Sequence, residues 1–200
     1  MPKPWNKTVQ KGFTLIELLI TVSLIAILAG LVAPGFSSFI QDNRLTSQIN
    51  TLIGVIHMAR GEAANRRGIV TLCASDNGSN CNTTNWEAGW ILFTDSNNGG
   101  NAVIDGDDQL LHYQEPLIGG NNLRASGFGG TNLGRLQFAS TGFLLDTDSS
   151  AGTFTLCDDR GVSEARAIVV NISGVSRLAV DEDGDNTLNN HQGATGEISC

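Results

Sequence analysis

Two sets of residues carry most of the chemistry on offer: four cysteines, and one carboxylate in apolar surroundings. Cys73, Cys81, Cys157 and Cys200 are an even set, and all lie downstream of a long apolar segment. Export past such a segment leads to a compartment where disulfides persist, so two disulfides are expected. Metal binding is the competing use, but no C-x-x-C pair or His-x-His partner accompanies these cysteines. Three pairings exist on paper. The seven residues between Cys73 and Cys81 include a Gly/Asn/Ser loop, which favours joining those two and leaves Cys157 to tie down Cys200. The carboxylate is Glu17, the only charged residue between positions 13 and 40. Inside a bilayer a lone carboxylate costs roughly 2.5 kcal/mol or more, so it normally has a partner and a role.

Other polar groups point less sharply. Two loops gather acids and amides: Asp95, Asn97 and Asp105 in one, and Asp181, Asp183 and Asp185 in the other. Alternating oxygens of this kind can wrap Ca2+, which takes about 6 to 8 of them. Neither loop joins a glycine at the sixth place to a bidentate acid at the twelfth, so solvated turns are the preferred reading and no other cofactor is expected. His57, His112 and His191 have no evident nucleophile or acidic partner in sequence, and read as packing or surface residues. A phosphate loop of the G-x-x-x-x-G-K-[ST] type is absent, as no lysine follows Lys11. Nothing clusters as a catalytic site, and the chain reads as non-enzymatic.

The elements that position these residues follow from the apolar pattern. Residues 18–33 carry no charge and at ~1.5 Å of rise per residue cover about 24 Å; residues 13–17 extend the run to bilayer thickness. Lys3, Lys7 and Lys11 precede it and no base follows directly, which puts the leading end in the cytoplasm and the rest outside. A secretory signal peptide would be cut at a small-x-small site such as the one ending at Ala29, and a plain anchor has no use for Glu17. Pro34 and Gly35 permit a kink. Ile49, Leu52, Ile53, Ile56, Ala59 and Ala63 then recur at helical spacing, and Arg66, Arg67 and Gly68 supply a cationic last turn and a stop.

After Gly68 come short β-type runs at 69–73, 89–94, 109–113, 135–139, 153–157, 167–171 and 176–180, separated by turn residues. The expected fold class is α+β: a long amino-terminal helix packed on one or two antiparallel sheets. Two hundred residues at 40% apolar content suit one domain plus one anchor. The formal net charge is -8, and subtracting the three lysines, all before residue 13, takes the remainder to -11. Such a body repels phosphate backbones and anionic lipid on average.

The run Lys11-Gly12-Phe13-Thr14-Leu15-Ile16-Glu17 resembles the processing motif of type IV prepilins and type II secretion pseudopilins. The resemblance implies cleavage between Gly12 and Phe13 by a prepilin peptidase, methylation of the new amino group on Phe13, and retention of the apolar segment. It also gives Glu17 a partner, the free amine of a neighbouring subunit during assembly. Further stretches are similar to the FimT, FimU and GspH branch of minor pilins and pseudopilins: Phe36 to Phe39 with Asn43 to Leu45, Ala59 to Ala63, Val70 to Cys73, Gly89 to Phe93, and Cys157 to Gly161 with Ala165 to Ile168.

The layout this implies is a cleaved leader at 1–12, a transmembrane and assembly helix at 13–40, an amphipathic continuation at 41–68, and a disulfide-tied β-rich domain at 69–200. Expected partners are other pilins or pseudopilins, the prepilin peptidase and the inner membrane. The expected location is a single pass of the inner membrane with a periplasmic domain, then a pilus or pseudopilus. The leading function is assembly of a type IV pilus, in its initiating or tip complex; the alternatives are DNA binding for natural transformation and a type II secretion pseudopilin. Some FimT-like minor pilins bind DNA through Gly-Arg-x-Arg. In the matching stretch Gly174-Val175-Ser176-Arg177 only Gly174 and Arg177 fit, so DNA binding would rest on Arg177.

Overall fold

Leucine, isoleucine and alanine dominate residues 15–66, and these form one helix, α1 (Leu15–Arg66). The computed structural model describes residues 12–95, 100–128, 134–145 and 151–200, and at 31–34 the backbone alone. Residues 1–11, with the leader lysines, and Asn97 lie outside the described residues, as does the Pro34 side chain. The helix stops one residue earlier than the glycine in the sequence implies. Arg67 takes the left-handed conformation (φ 54), and the Gly68 N–H reaches the Ala63 carbonyl at 3.2 Å. This is the bonding of a Schellman stop, with arginine where glycine is usual.

The chain divides into two compact units, one ending at Gln41 and the other running from Asp42 to Cys200. In the first, every residue from Gly12 to Gly30 is exposed, including Phe13, Leu15 and Ile16. Among the described residues no single helix is long and apolar enough to cross a membrane; Leu15–Gly30 and Gly35–Arg66 meet that test only together, as a bent pair.

Among the described residues the second unit holds eight strands: β1 (Val70–Ala74), β2 (Trp90–Thr94), β3 (Leu110–Gln114), β4 (Asn122–Gly127), β5 (Arg135–Phe138), β6 (Gly152–Cys157), β7 (Arg166–Val170) and β8 (Ser176–Leu178). They form two four-stranded antiparallel sheets, ordered β3-β2-β1-β5 and β4-β6-β7-β8. Seven of the eight fall where the β-type runs lie. β4 does not, because Asn122–Gly127 turns only Leu123 and Ala125 toward the core and follows Gly119, Gly120 and Asn121.

One apolar core joins α1 to both sheets. Leu45, Ile49, Leu52, Ile56, Ala59 and Ala63 face inward at alternating steps of four and three, as a helical stripe must. Alternate residues of the strands meet them: Val70 and Leu72 of β1, Phe154 and Leu156 of β6, Ile168 and Val170 of β7. Trp86 packs edge-on against Phe154 with centroids 4.7 Å apart, linking the β1–β2 connection to the other sheet. Burying one such ring contributes about 1.5–3 kcal/mol. Phe128 lies against both Phe154 and the backbone of Gly152, where a Cβ would sit 2.4 Å from the Phe128 ring.

Candidate assembly site and its supports

At the head of α1 the Glu17 carboxylate turns back on its own chain. Its Oε2 accepts the Thr14 N–H at 3.2 Å and the Thr14 hydroxyl at 3.3 Å, while the Thr14 Oγ1 accepts the Glu17 N–H at 3.2 Å. Thr14 stands at the N-cap and Glu17 three residues on, a reciprocal capping box that satisfies donors no helix can satisfy internally. A carboxylate also suits the positive end of the helix dipole. The T-x-x-E spacing is a sequence signal of such a box, yet Thr14 does not emerge as a site residue from the sequence. Phe13 precedes the cap and is 88% exposed, and Gly12 has open space around it. The leading end of α1 thus presents an accessible Gly12–Phe13 bond, an exposed apolar surface and one carboxylate held ready near it.

The cysteines close two loops in the second unit, Cys73 with Cys81 and Cys157 with Cys200, the pairs that spacing favours. The second bond pins the carboxyl-terminal segment across the outer face of the β6–β7 sheet. There Cys157, Ala165, Ala167 and Val169 bury themselves against Ala179 and Ile198. Midway along α1, where the second unit begins, Arg160 binds Asp158 at 2.8 Å and Asp42 at 2.9 Å, joining the β6–β7 turn to the helix.

Arg177 lies on β8 with its side chain half exposed, and its guanidinium sits 3.3 Å from Glu182. Its charge is therefore met by a local acid, and an exposed Val175 occupies the turn beside it. Asp181, Asp183 and Asp185 bring carboxylate oxygens within 4.8 Å of one another, all three exposed. Asp181 accepts the N–H groups of Gly184 and Asn186 at 2.6 and 2.9 Å. The Gly184 bond leads in holding its carboxyl below the usual carboxylate range. Glu197 nearby is pushed up by desolvation and by those three acids. Of the other acidic group, Asp95 and Asp105 have separate surroundings: Asp95 is wholly buried, whereas Asp105 accepts from Asn101 at 2.9 Å.

The histidines disperse. His57 on α1 lies 3.0 Å from the Ser176 hydroxyl. His191 meets Thr153 at 3.1 Å. Burial lowers the pKa of both His112 and His191, which favours their neutral forms.

A long amino-terminal helix, apolar and exposed at its head, whose second half closes a core with antiparallel sheets flanked by disulfides, defines a pilin-like architecture. The chain belongs to the GspH family of type II transport proteins, whose model matches residues 48–174, and residues 7–33 match the prokaryotic N-terminal methylation motif. Its fold is similar to the type IV minor pilin FimU of Pseudomonas aeruginosa, solved in two crystal forms. One aligns at a TM-score of 0.53 and 18% identity over 71% of this chain and 92% of that one; the other aligns at 0.50 and 16% over 68% and 93%. The fimbrial protein EcpC of Eikenella corrodens is 41% identical over 44 residues, 22% of this chain and 29% of that relative. The chain is thus a minor pilin or pseudopilin of the FimT/FimU/GspH family.

Proposed function

We propose that this chain is a non-enzymatic minor pilin that contributes to assembly of a type IV pilus, in the complex that initiates the fibre or forms its tip. The prepilin peptidase cuts between Gly12 and Phe13, the new amino group is methylated, and the apolar head of α1 anchors the subunit in the inner membrane. The capped carboxylate of Glu17 carries this reading. In apolar surroundings a buried charge persists only when paired, so Glu17 rides on its own cap until the amine of a neighbouring subunit replaces Thr14. No lysine follows residue 11, so after such a cut the amino group of Phe13 is the only amine left in the chain.

Glu17→Leu tests this. The variant is expected to remain in the membrane and to fall at least tenfold in purified fibres; normal recovery there contradicts the role.

A second reading, a type II secretion pseudopilin, is favoured by the match of residues 48–174 to the GspH family of type II transport proteins. Deleting the gene and scoring twitching, secretion and transformation in one strain separates the two. Loss of twitching alone supports the pilus, and loss of secretion alone supports the pseudopilus.

A further inference from the structure

The outer face of the β1–β5 pair holds three polar side chains shut away from water. Thr71 and Gln137 are direct cross-strand partners, and Asp95 follows the end of β2. Their exposures are 0%, 8% and 0%. The Thr71 hydroxyl donates to Asp95 Oδ2 at 2.5 Å. Gln137 Nε2 lies 3.0 Å from the same oxygen, 3.1 Å from Thr71 Oγ1 and 2.8 Å from the Gly100 carbonyl. The Ala102 N–H donates to Asp95 Oδ2 at 2.9 Å, while Asp95 Oδ1 is buried with no hydrogen-bond partner among the described residues. Gly100, at φ +83, brings the backbone in so closely that a Cβ would meet Gln137 Nε2 at 3.1 Å.

A hydroxyl, a carboxylate bonded to it and a carboxamide touching it are the nucleophile, base and electrophile of an acyl transfer. We propose that Thr71 and Gln137 join in an intramolecular ester, with Asp95 carrying the proton, so that β1 and β5 are covalently stapled. Asp95 takes the hydroxyl proton as Thr71 Oγ1 bonds to Gln137 Cδ, a carbon only about 1.33 Å from Nε2. The amide nitrogen is the atom that touches the hydroxyl, and a change in the glutamine Cβ–Cγ torsion, which carries the carbon, brings it to the oxygen. The tetrahedral intermediate then breaks its Cδ–Nε2 bond, and Asp95 returns the proton to the departing nitrogen. One ester and one ammonia result, the carboxylate is restored, and no outside reagent takes part. Nε2 already lies 3.0 Å from Oδ2, the oxygen that receives the hydroxyl proton, so the same oxygen can return it to the nitrogen. A dry site also protects the product from hydrolysis. The staple secures β5, the four-residue edge strand of its sheet.

The test is intact mass and peptide mapping of the wild-type full chain, purified in detergent. The expected mass is one ammonia below that calculated for the disulfide-bonded chain, with a branched peptide containing both Thr71 and Gln137 that hydroxylamine splits. Thr71→Val and Asp95→Asn are expected to show the full mass and no branched peptide. If either variant fails to fold, the wild-type map alone decides. A wild-type mass without the deficit overturns the proposal, as does ammonia loss elsewhere, for instance a succinimide at Asn77-Gly78, with Thr71 and Gln137 recovered in separate peptides.

Discussion

Arg160 illustrates how single charges hold this fold. Its guanidinium is only 20% exposed and lies between Asp158, Asp42 and, at 3.9 Å, Glu164. Burial by itself would raise the Asp158 carboxyl, but the hydrogen bonds and charge of Arg160, with the charge of Arg166, outweigh it and hold that carboxyl below the usual range. A carboxyl depressed in the folded state adds stability that is complete above its ordinary range, near pH ~4, and is lost as pH falls through its folded value. The melting temperature is therefore expected to drop on acidification below about pH 4. Arg160→Leu leaves Asp158 buried without its cation, which should cost about 3 kcal/mol at neutral pH and flatten the acid drop. Thermal melts of both chains between pH 7 and pH 2 check this. Glu17 is legible in the sequence because nothing else in its segment is charged. Thr71, Asp95 and Gln137 are not, since the bonds between them span 24, 42 and 66 residues and only the sheet brings them together.

Among the elements, α1 and the strands with dense β-branched and aromatic content could be read from periodicity alone. β4 could not: six register pairs with β6 make a strand of a stretch that, read locally, is a Gly/Asn loop. The carboxyl-terminal segment depends in the same way on its attachments. It has little regular structure, and the Cys157–Cys200 bond closes a separation of 43 residues, against 8 for Cys73–Cys81. Loop-closure entropy puts the longer closure at about 4 kcal/mol and the shorter at about 2.5 kcal/mol. Cys200→Ser should thus lower stability more than Cys81→Ser and make the segment after Val180 the first site of proteolysis. Denaturant melts and limited proteolysis of the two variants give the comparison; equal loss in both would contradict the strap.

At the scale of the molecule, polarity is divided along the chain. All three lysines precede residue 13, residues 13–40 carry no charge but that of Glu17, and the folded unit is acidic. Such a division suits a subunit that associates through apolar helices while its outer domains repel each other and phosphate-bearing surfaces. Family membership and fold agree with that division, and the proposed assembly role requires that the apolar head be kept and its amine exposed. The most direct measurement is the amino-terminal sequence and intact mass of the subunit recovered from cell membranes. Processing as proposed gives a chain that begins at Phe13 with one added methyl group and no lysine. A chain that begins at Met1, or at Gly30 after a signal-peptidase cut, contradicts it.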